Sequence, residues 1–441
     1  MKAVITTTDF NRNFLWTQSP LEAGTLDCTH QVSVYPNCKG QRIEGFGGAF
    51  TEAAAYNYQK LPQDKRKAFM QAYFGEKGLR YSVGRIHIGS CDFALGNYAC
   101  MDSADDPIFN TQRDETYLLP MLRDAGAAAG KPIGLLLSPW SPPAFMKTNG
   151  DMNHGGKLRE EYQTLWAECM ARYVSFYKSH GCDVRMVSIQ NEPAATQTWD
   201  SCLYSGAEEG EFAAFLRKAL DAAGCADVKI LAWDHNKDIF VYRAEETLSV
   251  AGAEQNVDGF GIHWYTGDHF EAVRAVKQRW PEKNIWFTEG CVEYSRFDGM
   301  TPQQKAEMYA HDILGNLNAG ISGSIDWNLL LDSKGGPNHV GNFCEAPVML
   351  SEDGTDFTLM TEYYYIGHFS RYIRPGAVKL ASSVASTGIE AVAFENPDGS
   401  RVAVLLNTGD APQDVSLTEN GAEGFPFRLN PHTIATVQWN L

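Results

Sequence analysis

The sequence predicts a (β/α)8 TIM barrel, class α/β, with an appended antiparallel β-sandwich side domain. Three observations carry this: eight short apolar runs, amphipathic segments of helical length between them, and a change to short alternating runs at both ends of the chain.

The eight runs are "RIEGFGGAF" (42–50), "LRYSVGRIHIGS" (79–90), "PIGLLLSPW" (132–140), "VRMVSIQNE" (184–192), "VKILAWDHN" (228–236), "VDGFGIHWY" (257–265), "NIWFTEG" (284–290) and "ISGSIDWNL" (321–329). Most are near-continuously hydrophobic at their start, as parallel strands covered on both faces require. Between them, "LREEYQTLWAECMARYVSFYKSHG" sets Tyr162, Leu165, Trp166, Cys169, Tyr173 and Phe176 on one stripe and stops at Gly181. "GEFAAFLRKALDAAG" behaves alike, as does "PQQKAEMYAHDILGNLNAG", with Pro302 near its start and Gly320 just past its end. Strand then helix, eight times, is the signature of the barrel.

After "YYYIGHFSRYIRPG" the runs shorten and alternate. "GIEAVAFENPDGSRVAVLLNTG" reads as a hairpin turning at Asn396-Pro397-Asp398-Gly399, and "SLTEN" and "TIATVQWNL" continue the pattern. The first 40 residues also read as strands. The predicted organisation is residues 1–40 as N-terminal strands of the sandwich, 41–372 as the barrel and 373–441 as the rest of the sandwich.

Composition narrows the partners. Of 441 residues 44% are hydrophobic and 21% charged, and 37 basic against 54 acidic residues give a formal net charge of -17. Such a chain does not bind nucleic acid or an anionic membrane surface by bulk electrostatics, and neutral substrates fit better. The N-terminus "MKAVITTTDFNRNFLWTQSP" has no apolar signal region, and no run of 18 apolar residues exists. The expectation is a cytoplasmic protein with no stable membrane anchor. The ten cysteines are scattered, with no C-x-x-C pair and no histidine cluster at zinc spacing. Reduced, mostly buried thiols are expected, without disulfides, metal or cofactor. Nothing in the sequence speaks to oligomeric state.

In a barrel of this class the reacting groups come from the C-terminal ends of the strands. These ends read "GSCDF", "SPWSPP", "QNEP", "WDHN", "HWY", "TEG" and "DWN". A mouth lined by Trp, Tyr, His, Asn and carboxylates suits a sugar: aromatic faces stack on C–H bonds, and amides and carboxylates take hydroxyls. Glu192 and Glu289 are the two glutamates at such ends, on strands that face one cavity. Two carboxyls flanking a glycosidic bond are the apparatus for its hydrolysis, one protonating the leaving oxygen and the other attacking the anomeric carbon or activating water.

"QNEP" and "FTEGC" resemble the acid/base and nucleophile motifs of clan A glycoside hydrolases. "GFGGAFTEAAA" (45–55), "GRIHIGSCDF" (84–93), "SPWSPPAFMKTNG" (138–150), "DWNLLLDSKGGPNHVGNF" (326–343), "YYYIGHFSRYIRPG" (363–376) and "AVAFENPDGSRVAVLLN" (391–407) narrow the likeness to glycoside hydrolase family 30, glucosylceramidase-like branch. It spans nearly the whole chain from about residue 40. The resemblance implies a retaining exo-β-glycosidase that removes terminal β-D-glucosyl groups from a small β-glycoside substrate by double displacement. It makes Glu192 the acid/base and Glu289 the nucleophile. It places Asn191 at the sugar 2-hydroxyl, Asp92 on outer hydroxyls, Trp140 and Trp327 as aromatic walls, Arg85 near the nucleophile, His263 and Tyr265 just behind, and Asn342 at the rim. Two roles stay open for Arg85, holding the barrel together or touching the substrate, and His263 is alternatively a core histidine. "WDHN", with Asp234 and His235, is a looser match. The loops "AATQTWDSCLYSG" and "CVEYSRFDGMTP" are short, which favours small aryl, alkyl or disaccharide glycosides over a membrane lipid. Alternatives are the same mechanism on β-xylosides, β-fucosides or β-1,6-glucan and, more remotely, a carbohydrate-binding protein without catalysis.

Overall fold

The computed structural model describes residues 2–24, 30–297, 299–421 and 424–440. Eight parallel strands close into a barrel in chain order: Gly45–Ala49, Val83–Ile88, Gly134–Pro139, Asp183–Ser188, Lys229–Asn236, Gly259–His263, Asn284–Glu289 and Gly323–Asn328, the last pairing with the first. They are called strands one to eight below. Seven of the eight predicted runs contain one of these strands outright, and the fourth, 184–192, overlaps one that begins a residue earlier, at Asp183.

The barrel interior is filled. Val83, Leu136, Met186, Leu231, Trp286 and Ile325 meet there, each at most 1% exposed. Strand one is glycine-rich because it lies against strand two: a Cβ on Gly47 would stand 1.9 Å from the Val83 carbonyl oxygen. The helices cover the outside. Gly206–Ala222 opens with a capping box from Ser205 and Glu208, and Pro302–Ala319 with one from Thr301 and Gln304. The helix expected from residue 158 starts only at Gln163. Leu158 is drawn into a bridge with Lys147, Arg159 donates its N–H to the Met146 carbonyl, and a single 3-10 turn (Glu160–Tyr162) intervenes.

The side domain takes strands from both ends of the chain. Its hydrogen-bonded order is Phe14–Glu22, Lys2–Asp9, Thr433–Asn440, Arg401–Asn407, Ile389–Glu395, Val378–Ala385, His30–Arg42, Gln413–Glu419, Phe425–Leu429. All neighbours are antiparallel except His30–Arg42 with Gln413–Glu419, which run parallel. A bridge between Gly24 and Gly424 brings the two edges together, so the sheet folds over its own core of Val34, Leu380, Leu405, Val437 and their neighbours. It is fastened to the barrel through helix Thr361–Ser370. The buried His368 reaches Thr436 Oγ1 at 2.8 Å and Thr8 Oγ1 at 2.9 Å, one from each end of the chain.

Among the described residues no helix is long and apolar enough to cross a membrane. Seven of the nine described cysteines are buried and all nine are free thiols. Cys28 lies outside the described residues.

Candidate active site

Three ladders break register at their C-terminal ends: strands five and six between Trp233 and His235, six and seven between Phe287 and Glu289, eight and one between Asp326 and Asn328. Such irregularities re-aim side chains. Here they turn Asp234, Glu289 and Trp327 toward the axis. Strand four ends at Ser188, short of the predicted 192, and the segment to Glu192 leaves the regular ladder. It stays bonded to its neighbours through Asn191 N–H to Pro139 O (2.8 Å) and Glu192 N–H to Asp234 O (3.0 Å). Glu192, Trp233 and Asp234 have φ of 48°, 67° and 49°, a left-handed conformation that side chains rarely adopt. Strain of this kind persists only where the surroundings over-determine it, and it gathers at functional sites.

At the centre is Arg85, on strand two and fully buried. It donates from Nη1 to Glu289 Oε2 (2.6 Å), from Nη2 to Asn191 Oδ1 (2.7 Å) and Asp234 Oδ2 (2.8 Å), and from Nε to Ser138 Oγ (3.0 Å). Its guanidinium lies 4.7 Å from the Trp140 ring and 5.5 Å from the Trp327 ring. The two indoles stack at 5.4 Å. Tyr265 donates its hydroxyl to Glu289 Oε1 at 2.8 Å, so both oxygens of that carboxylate are held. Glu192 is held differently. Its Oε1 lies 3.2 Å from His263 Nδ1 and 3.6 Å from His235 Nδ1. The other nitrogen of His263 faces Asp234 Oδ1 at 3.2 Å.

The electrostatics follow. Burial raises Asp234, but Arg85 and His263 outweigh it and hold its carboxyl well below the usual carboxylate range. Burial opposes a charge on His263, yet Glu289, Asp234 and Glu192 together push it up to about 9. Burial pushes His235 down. Burial also raises Glu192, and His235 and His263 draw it down to about 2. Burial is the largest influence on Glu289 and raises it.

Asp92 is buried, and its Oδ2 accepts from Asn338 Nδ2 (3.2 Å) and Asn342 Nδ2 (3.3 Å). Burial, then the Glu289 charge, push its carboxyl well up.

A cavity of about 340 Å³ joins these groups. Asp92, Trp140, Asn191, Glu192, Tyr265, Glu289, Trp327 and Asn342 all line it. Arg85 and His263 stand behind that wall, touching its residues. Four further residues line the outer part: Gln197 and Trp199 from the loop after strand four, Glu293 and Arg296 from the loop after strand seven. Sequence reasoning named both loops but not these side chains. Arg296 also donates to the Tyr265 carbonyl. Trp264 points away, against Phe287 and Tyr309.

Comparison with known proteins agrees with the geometry. Residues 43–373 match the glycosyl hydrolase family 30 TIM-barrel domain, and 376–437 match that family's β-sandwich domain. The chain is 31% identical over 431 residues to the lysosomal acid glucosylceramidase of Mus musculus, covering 92% of this chain and 83% of that protein. It superposes on SrfJ from Salmonella typhimurium with a TM-score of 0.96 and 40% identity over 100% of both chains. An endo-β-1,6-glucanase of known structure superposes with a TM-score of 0.91 and 27% identity, again over 100% of both.

Proposed function

Because the chain belongs to glycosyl hydrolase family 30 and is an O-glycosyl hydrolase, we propose that it removes terminal β-D-glucosyl groups, with retention, by double displacement. The observation that carries the roles is the asymmetry between the two glutamates. Glu289 is fixed at both oxygens by donors, one of them a guanidinium that cannot lose its proton. That favours an ionised, oriented nucleophile. Glu192 faces the imidazoles of His263 and His235, which unlike a guanidinium can give up a proton.

In the first step Glu289 attacks the anomeric carbon while Glu192 protonates the departing oxygen. In the free cavity His235 and His263 outweigh burial and hold Glu192 ionised, whereas burial, the largest single influence, favours its protonated form. A sugar seated over the pair completes the exclusion of water and strengthens that influence. In the second step Glu192, now a carboxylate, activates water against the glycosyl-enzyme. The Glu289 charge has then been consumed in the ester. Asn191, held by Arg85, is aimed at the sugar beside the nucleophile, and Trp140 and Trp327 wall the ring.

Glucose as glycone is supported by the relatives: one is by name a glucosylceramidase, the other an endo-β-1,6-glucanase. Exo action is supported by the cavity, which at about 340 Å³ sits at the small end of the range for ligand pockets, about 300–1,000 Å³. The glucanase neighbour favours β-1,6-linked glucan as the second reading. Proton NMR of β-glucoside hydrolysis tests the mechanism. The β-anomer of glucose should appear first and mutarotate later, and first release of the α-anomer overturns the proposal.

A further inference from the structure

One cluster at the cavity offers more than hydrolysis uses. Glu192, His235 and His263 bring one ligand-type atom each to within 4.8 Å of one another. Two of the three edges are known more closely, 3.2 Å from Glu192 Oε1 to His263 Nδ1 and 3.6 Å from Glu192 Oε1 to His235 Nδ1. Zinc ligands stand about 2.0–2.1 Å from the ion. In a tetrahedron they are therefore about 3.3–3.4 Å apart, within about 0.2–0.3 Å of those two edges.

Two further facts point the same way. His235 is 8% exposed and its Nδ1 has no hydrogen-bond partner, although it is aimed into the cluster. His263 places Nε2 against Asp234 Oδ1 at 3.2 Å, leaving Nδ1 toward Glu192. A carboxylate behind a histidine, fixing which nitrogen faces the ion, is the usual support of a bound zinc.

We propose that Glu192, His235 and His263 form a binding site for a tetrahedral divalent transition-metal ion such as Zn2+, and that the ion switches the enzyme off by occupying the carboxylate of Glu192. Asp234 supports the site from behind, and the cavity supplies water as fourth ligand. Binding displaces the proton held between Glu192 and His263 and forms three metal–ligand bonds, with no redox change. While the ion is bound, Glu192 can neither protonate a leaving group nor activate water. The site excludes hard ions: Mg2+ and Ca2+ prefer oxygen ligands, of which the cluster offers one. Sequence spacing could not reveal it, because the three ligands come from three different strand ends. The functional consequence rests on the acid/base reading of Glu192, whereas the binding site itself does not.

The experiment is titration of the full chain with ZnSO4 and with CoCl2. Calorimetry should show one site, and Co2+ should develop the intense visible bands of tetrahedral coordination. Hydrolysis of an aryl β-glucoside should be inhibited by Zn2+, competitively with substrate, and restored by EDTA, while Mg2+ has no effect. His235→Asn should raise the inhibitory Zn2+ concentration at least 10-fold in whatever activity remains, and Glu192→Gln, inactive or not, should lose the calorimetric site. Cys38 is the exposed thiol among the described cysteines, so each measurement is repeated in Cys38→Ser. Unchanged zinc binding in both His235→Asn and Glu192→Gln overturns the site. Tight one-site binding with the expected losses but no effect on hydrolysis overturns the acid/base reading and leaves the site standing.

Discussion

Arg85→Gln separates the two roles open for that arginine. The guanidinium makes ion-paired bonds to the carboxylates of Glu289 at 2.6 Å and Asp234 at 2.8 Å, and further bonds to the uncharged acceptors Asn191 and Ser138. Glutamine removes the cation and leaves two buried carboxylates without it. At about 1.5–3 kcal/mol for each charged bond the loss is about 3–6 kcal/mol, in line with about 3–5 for breaking a buried ion pair. Against a total stability of about 5–15 kcal/mol, the variant is weakened but still folds. An unfolding entropy of about 2.1 cal/mol/K per residue converts this to a melting point about 3–6 °C lower for a chain of this length. Activity should change in shape as well as in size. Arg85 is among the groups that lower Glu289, so without it the nucleophile ionises at higher pH. The low-pH limb of kcat/KM should therefore move upward, and Arg85→Lys, which keeps the charge but not the fork, should fall between. Calorimetric melting and a pH–rate profile measure the two effects. A melting point within 1 °C of the parent with an unmoved limb would refute the reasoning. A lowered melting point with an unmoved limb would make Arg85 structural only.

Glu289→Gln should abolish turnover for every leaving group, whereas Glu192→Ala should still form the glycosyl-enzyme from activated aryl glycosides, and added azide should rescue it to a β-glycosyl azide seen by NMR. Glu289→Ala, attacked once by azide from the opposite face, should give the α-glycosyl azide; if instead Glu289→Ala yields the β-azide and Glu192→Ala the α-azide, the two roles are reversed. Tyr265→Phe removes one donor from Glu289 and should reduce kcat/KM about 10–100-fold, the size of a hydrogen bond to a charged group; a change below threefold counts against it. Asp326, a buried residue of strand eight, is pushed up by burial from the usual 3.8 to about 7. Its protonated form favours the folded state, so the stability it contributes is full below about pH 4 and is lost as pH rises toward 7, about 4 kcal/mol in all. Asp326→Asn should consequently be more stable than the parent at pH 8 and no more stable at pH 4, as read by urea unfolding at both.

The barrel was legible because strands buried on both faces have to be continuously apolar, and each ends where polar residues begin. Glu289 and Tyr265 were legible for the same reason. What pattern could not supply was the last few residues of each strand. The run through Glu192 reads as one strand, yet the ladder stops at Ser188 and Glu192 turns left-handed beyond it. Asp234 reads as part of a loose motif, yet it holds Arg85, Thr288 and His263 together. Register breaks and positive φ leave no mark on hydrophobic periodicity. Gln197, Trp199, Glu293 and Arg296 sit on loops, where no period exists to place a side chain. The parallel pairing of His30–Arg42 with Gln413–Glu419 was equally hidden, since alternation shows that a strand has two faces but not which partner it will take.

That pairing sets a timetable for synthesis. Strand His30–Arg42 hydrogen-bonds with Val378–Ala385 and Gln413–Glu419, and Lys2–Asp9 with Thr433–Asn440. About 330 residues separate Arg42 from Val378, so at about 5–20 residues per second His30–Arg42 waits about 20–70 s for its first partner, and Lys2–Asp9 waits longer still for Thr433–Asn440. Through that interval, while the barrel is being translated, they carry unpaired edges of the kind that recruit other chains. Thr433–Asn440 thus close off Lys2–Asp9, and a chain cut short upstream of Thr433 would be a barrel trailing an open sheet.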